Sequence, residues 1–284
     1  MTSDLITVEQ NPRLRAPVFC FALTGWVDAG FAGIHAVDAI ASQLHGGAPR
    51  RIATIELVDL VDLQATRPTI SLTDGLTREI AWPRIEFFAG SIDGHDVVVG
   101  KGPEPSLRWP SVSRAIAGYA AELGVTRAFT FGAIPAAVSH RRALPVLATA
   151  SDPAIASLLT ETRPDYQGPT GLQTVVQSDL GAQEIPTVGL WAQVPHYVAG
   201  NPAPAATRAL LEHFSRYSKV LLPSAALDAA SEEWVRQVEA GLEDRPDVLE
   251  LVGQIEAVSD AADEANLPSG DELATEIERF LRGE

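Results

Sequence analysis

Cysteine is almost absent from the 284-residue sequence, and its scarcity excludes several kinds of site. The single thiol, Cys20, cannot form a disulfide within the chain or contribute to a cysteine-based metal cage. It lies in the apolar run 17–23, where we expect a small buried side chain in a strand. A reactive thiolate needs an accessible, electropositive setting, so catalysis by Cys20 is disfavoured.

Long apolar runs are also missing. No stretch approaches the roughly 20 apolar residues that span a bilayer, and residues 1–15 carry acidic and polar side chains where a signal peptide would place a basic and then an apolar region. We therefore expect a cytoplasmic protein that neither enters a membrane nor is exported. A chain of this length with 46 % hydrophobic residues is long enough for one large core.

Several motifs of known chemistry are not found. The six histidines include no His-x-x-x-His pair, and no Gly-x-Ser-x-Gly elbow is present, so metal hydrolases and serine hydrolases are disfavoured. The segment 24–33 lacks both the Gly-Lys-Ser/Thr of a phosphate-binding loop and the glycine spacing of a dinucleotide fingerprint. We expect no metal and no cofactor.

The formal net charge is −16, and it is unevenly distributed. Residues 228–284 contain 17 acidic and 4 basic side chains, whereas the preceding residues contain 20 acidic and 17 basic. Such a field repels phosphate backbones, so nucleic-acid binding is disfavoured.

Alternating strands and helices dominate the first 223 residues. Residues 16–24 form a continuous apolar run typical of a buried strand, and a glycine-rich turn leads from it into apolar residues at helical spacing that end at Gly46-Gly47. The alternation continues with strands at 51–57, 85–88, 96–99, 127–131, 146–149 and 187–193, and with helices at 111–123, 153–159 and 203–217. This order predicts an α/β fold with a mostly parallel sheet and helices on both faces.

The character changes near residue 224 to acidic, helical sequence. We therefore predict an α/β core over 1–223 and an acidic helical extension over 224–284, packed on the core or on a partner. Apolar residues recur in three stripes, and Ser269 with Glu272 fits a capping box at the start of the last helix. The stripes are Trp234, Val235, Val238, Leu242; Leu249, Val252, Ile255; and Leu273, Ile277, Phe280, Leu281.

Polar and glycine-rich turns follow the predicted strands and define a candidate crevice, because ligands of open α/β sheets bind beyond the carboxyl ends of the strands. Each residue also has a structural interpretation: an aspartate at a helix start is commonly an N-cap, and glycines permit tight turns. Two histidines and an arginine in one crevice would favour a binding site. The candidate residues are Gly25, Trp26, Asp28, Gly30, Glu104, Arg108, His140, Arg142, His196 and Tyr197.

Three of these turns carry a resemblance to a known family. The runs Gly25-Trp26-Val27-Asp28-Ala29-Gly30, Gly102-Pro103-Glu104-Pro105-Ser106-Leu107-Arg108-Trp109 and Val194-Pro195-His196-Tyr197 resemble the PAC2 family of proteasome-assembly-chaperone-like proteins. Arg67-Pro68 and Gly168-Pro169-Thr170-Gly171 are similar to it as well. The resemblance implies a three-layer αβα sandwich like that of phosphorylases or hydrolases, self-association and, in some relatives, help in assembling proteasome subunits.

Two functions remain open. The first is a non-catalytic protein-binding or assembly factor, a homo-oligomer with a trimer among its candidate forms. The chain ends Arg282-Gly283-Glu284, without the hydrophobic-Tyr-any tripeptide by which some relatives dock on the proteasome, so we expect no docking by that route.

The second is a small-molecule binding protein or enzyme that takes a nucleoside, phosphate or carboxylate in the crevice. The ATP-grasp carboxylate-amine ligase activity sometimes given to related sequences is disfavoured, since Lys101 and Lys219 are the only lysines and neither lies in a nucleotide motif.

Overall fold

The computed structural model describes residues 4–266, which contain ten strands and seven α-helices. The strands are β1 (Thr7–Val8), β2 (Val18–Thr24), β3 (His45–Glu56), β4 (Thr69–Thr73), β5 (Leu76–Ala81), β6 (Arg84–Ile92), β7 (His95–Pro103), β8 (Arg127–Ala136), β9 (Val146–Ala150) and β10 (Thr187–Pro195). The helices are α1 (Ala32–Ser42), α2 (Trp109–Glu122), α3 (Pro153–Ala156), α4 (Leu172–Ala182), α5 (Pro204–Ser218), α6 (Ala225–Leu242) and α7 (Pro246–Asn266).

Eight strands form the central sheet in the order β1-β3-β6-β7-β2-β8-β10-β9. The neighbours β7, β2, β8 and β10 are parallel, and the outer pairs are antiparallel. Because β6 is antiparallel to both β3 and β7, β3 runs in the same direction as these central strands. Five of the eight strands therefore share one direction, and their carboxyl ends lie at one edge of the sheet.

Strand β2 shows why the sheet is covered on both faces. Its side chains alternate between two cores: Val18, Cys20 and Ala22 pack with α1 and α5, whereas Phe19, Phe21 and Leu23 pack with α2 and α4. A strand buried on both faces has no polar side, which accounts for its continuous apolar run. The predicted α/β sandwich with helices on both faces is confirmed.

Three elements were not predicted from the sequence: the short edge strand β1, the separate hairpin of β4 and β5, and helix α4. Several boundaries were wrong: β6, β7 and β8 each end four or five residues later than predicted. Helix α3 ends at Ala156 rather than at 159, and β3 begins at His45, so that Gly46-Gly47 lies within a strand instead of ending a helix. Register shifts between His45 and Ala53 show that this part of β3 pairs irregularly, which the apolar pattern cannot reveal.

Helices α6 and α7 follow the α/β core. The stripe of α6 packs against the core mainly through Trp234, while α7 buries Val252. The third predicted stripe, the capping box of Ser269 and Glu272, and the C-terminal residues 282–284 lie outside the described residues, and the division of the chain at residue 224 stays a prediction. Within residues 4–266, no helix has both the length and the apolar character to cross a membrane.

Candidate functional site

The candidate residues follow β2, β7, β8 and β10, and so lie along the edge of the sheet where these parallel strands end. They fall into separate groups there. One group surrounds Glu104, a second surrounds His140, and the loop 25–31 runs between them.

Glu104 anchors the first group by capping a helix from another part of the chain. Its Oε1 accepts a hydrogen bond from the backbone N–H of Leu172 at 2.6 Å, at the start of α4. Gly25 lies close to it, since a Cβ at Gly25 would be 3.2 Å from the Glu104 Cβ. Burial raises the pKa of Glu104, and the hydrogen bond from Leu172 opposes this rise. The Glu104 carboxylate therefore acts as the N-terminal cap of α4.

Asp28 caps helix α1, as its structural interpretation suggests. Its Oδ1 accepts hydrogen bonds from the backbone N–H groups of Gly33 at 2.8 Å and Ile34 at 3.3 Å. The buried Oδ2 has no hydrogen-bond partner among the described residues. Burial raises the pKa of Asp28 to about 6, against the effect of both amide bonds. Gly33 lets the helix approach closely, because a Cβ there would lie 2.5 Å from the Phe131 carbonyl oxygen.

Gly30 ties the same loop to the segment after β10. It has φ = 63°, a left-handed conformation that glycine adopts without strain. Its N–H donates to the Ala199 carbonyl at 2.8 Å, and its carbonyl accepts from the N–H of Ala203 at 2.9 Å. Trp26, at the other end of the loop, is 63 % exposed.

The second group is built around His140, which is 1 % exposed and uses both ring nitrogens. Nδ1 contacts the Tyr197 hydroxyl at 2.8 Å, and Nε2 contacts the Glu239 carboxylate of α6 at 3.1 Å. The hydroxyl also accepts the His140 backbone N–H at 3.1 Å. Burial lowers the pKa of His140, while Glu239 acts in the opposite direction. The ring therefore fastens β8, β10 and α6 together.

Carboxylates from the two C-terminal helices surround the residues beside His140. Arg141 donates to Glu239 through Nε at 2.5 Å and lies 3.6 Å from Glu256 of α7. The Ser139 hydroxyl donates to Glu256 at 2.7 Å. Arg142 pairs with Asp260 at 2.6 Å. These acidic partners were not singled out from the sequence, although the acidic surplus of residues 228–284 was visible there.

The remaining candidates are placed differently. His196 is exposed, and its Nδ1 lies 3.1 Å from the Ala136 carbonyl. Tyr197 lines a cleft of about 740 Å³ between the segment after β10 and α6. Arg108 begins α2 in a left-handed conformation and lines another cavity, of about 560 Å³, with Asp4 and Tyr119. The cleft and this cavity have no lining residue in common.

Three of the ionisable candidates connect elements of the fold. Glu104 caps α4, Asp28 caps α1, and His140 contacts both Tyr197 and Glu239. In the described part of the chain, no three His, Cys, Asp or Glu side chains lie close enough together to hold a metal ion.

The fold defines a class of α/β sandwich in which an eight-stranded sheet carries polar turns at the edge where its parallel strands end. The PAC2 family model matches residues 22–241, which is more than half of the chain. The chain belongs to the PAC2 family, as the three sequence runs indicated. The match extends into α6 and stops before α7 begins at Pro246.

Two solved structures are similar at 34 % sequence identity and a TM-score of 0.75, each covering 83 % of this chain and 99 % of its own. They are a PAC2 family protein from Streptomyces avermitilis and a proteasome-assembly chaperone homologue from Mycobacterium tuberculosis. An archaeal proteasome activator from Pyrococcus furiosus shares the fold at 18 % identity and a TM-score of 0.65, covering 84 % of this chain and 100 % of its own. No curated protein matches the sequence.

Proposed function

We propose that this protein is a non-catalytic protein-binding and assembly factor that self-associates. The observation that carries the proposal is the hairpin of β4 and β5, which forms a sheet of its own and is exposed at every strand residue. The proteasome-assembly chaperone homologue among the similar structures supports the same class of function. Such homologues also support action in the cytoplasm.

The hairpin carries an apolar face. Ile70 and Ile80 lie directly opposite each other across the two strands, and Leu72 is two residues along from Ile70 on the same side. They are 56 %, 48 % and 60 % exposed, and Trp82 just beyond β5 is 46 % exposed. A two-stranded hairpin is marginally stable alone in water, so this face gains stability when another surface covers it.

We infer that a second copy of this chain covers the hairpin. Residues 69–82 contain only Asp74, Arg78 and Glu79 as charged side chains, whereas the charge that would repel another copy is concentrated in residues 228–284. Closed symmetric homo-oligomers are the commonest soluble assemblies, and the trimer is one of them.

Light scattering on the full chain tests self-association. The variant Ile70→Ser/Ile80→Ser should have the mass of a monomer, while the wild type has a multiple of it. The control Leu158→Ser/Leu221→Ser removes two comparably exposed leucines elsewhere and should keep the wild-type mass. A monomeric wild type at all concentrations, or equal masses for both variants, would overturn the assignment of the hairpin.

Affinity capture from the cells of origin at physiological salt tests the assembly function. A client protein should be recovered in fixed proportion with the wild type, and the complex should re-form from the purified components. Recovery of this chain alone would overturn the assembly function, whatever its oligomeric state.

The cleft beside Tyr197 favours a second candidate function, the binding of a small molecule. Trp234 and Val238 line it, and so does Gly241, where a Cβ would meet no atom within 4 Å. Thermal-shift screening with nucleosides, nucleotides, phosphate and carboxylates tests it, because a ligand at 100 times its dissociation constant stabilises by about 2.7 kcal/mol. Gly241→Phe should abolish a shift that Gly241→Ala retains. Absence of any shift would exclude the binding of these ligands.

A further inference from the structure

The segment Ser139–Arg142, called the basic loop below, is held by carboxylates of two C-terminal helices. Ser139 and Arg141 contact Glu256, and Arg142 pairs with Asp260, all on α7. Glu256 and Asp260 are four residues apart and so lie on one face of the helix. The basic loop thus recognises a helix by two carboxylates one turn apart.

Helix α7 is weakly held for its length of 21 residues. Among its described side chains, Val252 is the only hydrophobic one that is fully buried. The Arg142–Asp260 pair joins side chains that are 36 % and 60 % exposed, and exposed ion pairs of this kind each contribute about 0–1 kcal/mol. Such contacts can be exchanged for equivalent ones offered by another chain.

The family match points in the same direction. It includes the whole basic loop and most of α6, but it ends at residue 241, before α7. Glu256 and Asp260 on α7 therefore lie outside the residues that the family model matches, whereas the basic loop lies within them. Residues 243–245 alone connect the two helices, so α7 can move away without any change in α6.

We propose that the basic loop is a docking surface for an acidic helix of a partner protein, and that α7 occupies this surface in cis until the partner displaces it. The inference rests on the proposed protein-binding function and names the chemistry of the partner: a helix with two carboxylates at positions i and i+4. Arg141 and Arg142 supply the complementary charge, and the Ser139 hydroxyl supplies a hydrogen bond.

A labelled peptide of residues 246–266 serves as the probe, with binding to the full-length protein followed by fluorescence anisotropy. The variant Glu256→Gln/Asp260→Asn, called the released variant below, lacks the two carboxylates with which α7 contacts the basic loop. The fraction of molecules with an open basic loop rises, so the peptide should bind this variant about tenfold more tightly than it binds the wild type. The control Glu243→Gln/Glu250→Gln removes the same charge from positions that do not contact the basic loop, and it should bind like the wild type.

Two further measurements assign the binding to the loop. Adding Arg141→Ala/Arg142→Ala to the released variant should abolish binding, with circular dichroism confirming that the fold is kept. A peptide carrying Glu256→Gln/Asp260→Asn should bind at least tenfold more weakly than the native peptide. Equal affinity of the wild type and the released variant, or binding that survives loss of both arginines, would overturn the proposal.

Light scattering separates this inference from the function on which it rests. The released variant should keep the oligomeric mass of the wild type, and an increase in mass would show that α7 of a second copy, not a partner protein, is the occupant. If the peptide fails to bind while self-association through the hairpin and client capture persist, only the docking inference is lost.

Discussion

Glu104 caps helix α4 across 68 residues of sequence, because its carboxylate accepts the backbone N–H of Leu172 at 2.6 Å. The residue at the cap position, Gly171, has no side chain that could do this. A Cβ at Gly171 would lie 2.9 Å from the Glu104 Oε1, so the glycine also makes room for the carboxylate. The contact joins the turn after β7 to α4, the helix that packs on the face of β2 formed by Phe19, Phe21 and Leu23.

Removal of this cap should destabilise the protein. Glu104→Ala leaves the first turn of α4 without its acceptor, and we expect the free energy of unfolding in urea to fall by about 1–2 kcal/mol. Glu104→Gln keeps an acceptor oxygen and should lose much less. Equal losses for the two variants would contradict a capping role.

The stability of the fold should depend on the protonation of Asp28. Its pKa in the folded protein is about 6, above the ordinary value of 3.8, so the folded state binds a proton more tightly than the unfolded state. The free energy of unfolding therefore falls as pH rises from about 4 to about 6, by up to about 3 kcal/mol for a shift of about two units. Asp28→Asn should remove this slope, which urea titrations at several pH values would detect. An unchanged slope in Asp28→Asn would contradict the assignment of this pH dependence to Asp28.

His140 should produce a slope of the opposite sign. Burial lowers its pKa below the ordinary 6.5, so the unfolded state binds the proton more tightly. Stability from this group is present at neutral pH and is lost as pH falls below about 6.5. The difference in unfolding free energy between wild type and His140→Gln, followed from pH 7.5 downward, isolates this contribution. A difference that does not vary with pH would count against it.

Cys20 should be unreactive in the native protein. Its side chain is fully buried, and burial raises the pKa of its thiol well above the ordinary value. Modification by a thiol reagent must wait for unfolding, so it should be slower in the native protein than in denaturant by a factor on the order of a thousand. A thiol introduced as Leu158→Cys in a Cys20→Ala background should react rapidly without denaturant.

Much of the sheet could be predicted from the sequence, because buried parallel strands such as β2 appear as unbroken apolar runs. The hairpin was missed although its turn, Asp74-Gly75, is flanked by alternating residues and is a strong local hairpin signal. Its apolar residues alternate with polar ones, so its strands lack the unbroken apolar runs by which buried strands such as β2 were found. Helix α4 was missed because its polar residues Gln173 and Gln177 are buried, which breaks the expected amphipathic stripe.

The candidate site could be predicted only in part. The order of strands and turns was enough to indicate which residues follow parallel strands. It could not show that His140 would be closed off by Glu239, 99 residues later, because that contact depends on how α6 packs against the finished core. Arg108 illustrates the same limit. It precedes α2 in a left-handed conformation and lines the cavity beside Asp4 and Tyr119, not the cleft beside Tyr197.

The packing of Trp234 on His140 gives this protein a built-in optical probe. The two rings lie edge to face with their centroids 6.4 Å apart, and Trp234 is buried on the inner side of α6. An imidazolium quenches indole emission, so the intrinsic fluorescence of Trp234 should dim when His140 is protonated and shift to longer wavelength when α6 lifts away. In a variant that keeps Trp234 and replaces the other four tryptophans with phenylalanine, partner binding at this end of the sheet could then be followed in real time, with no dye attached.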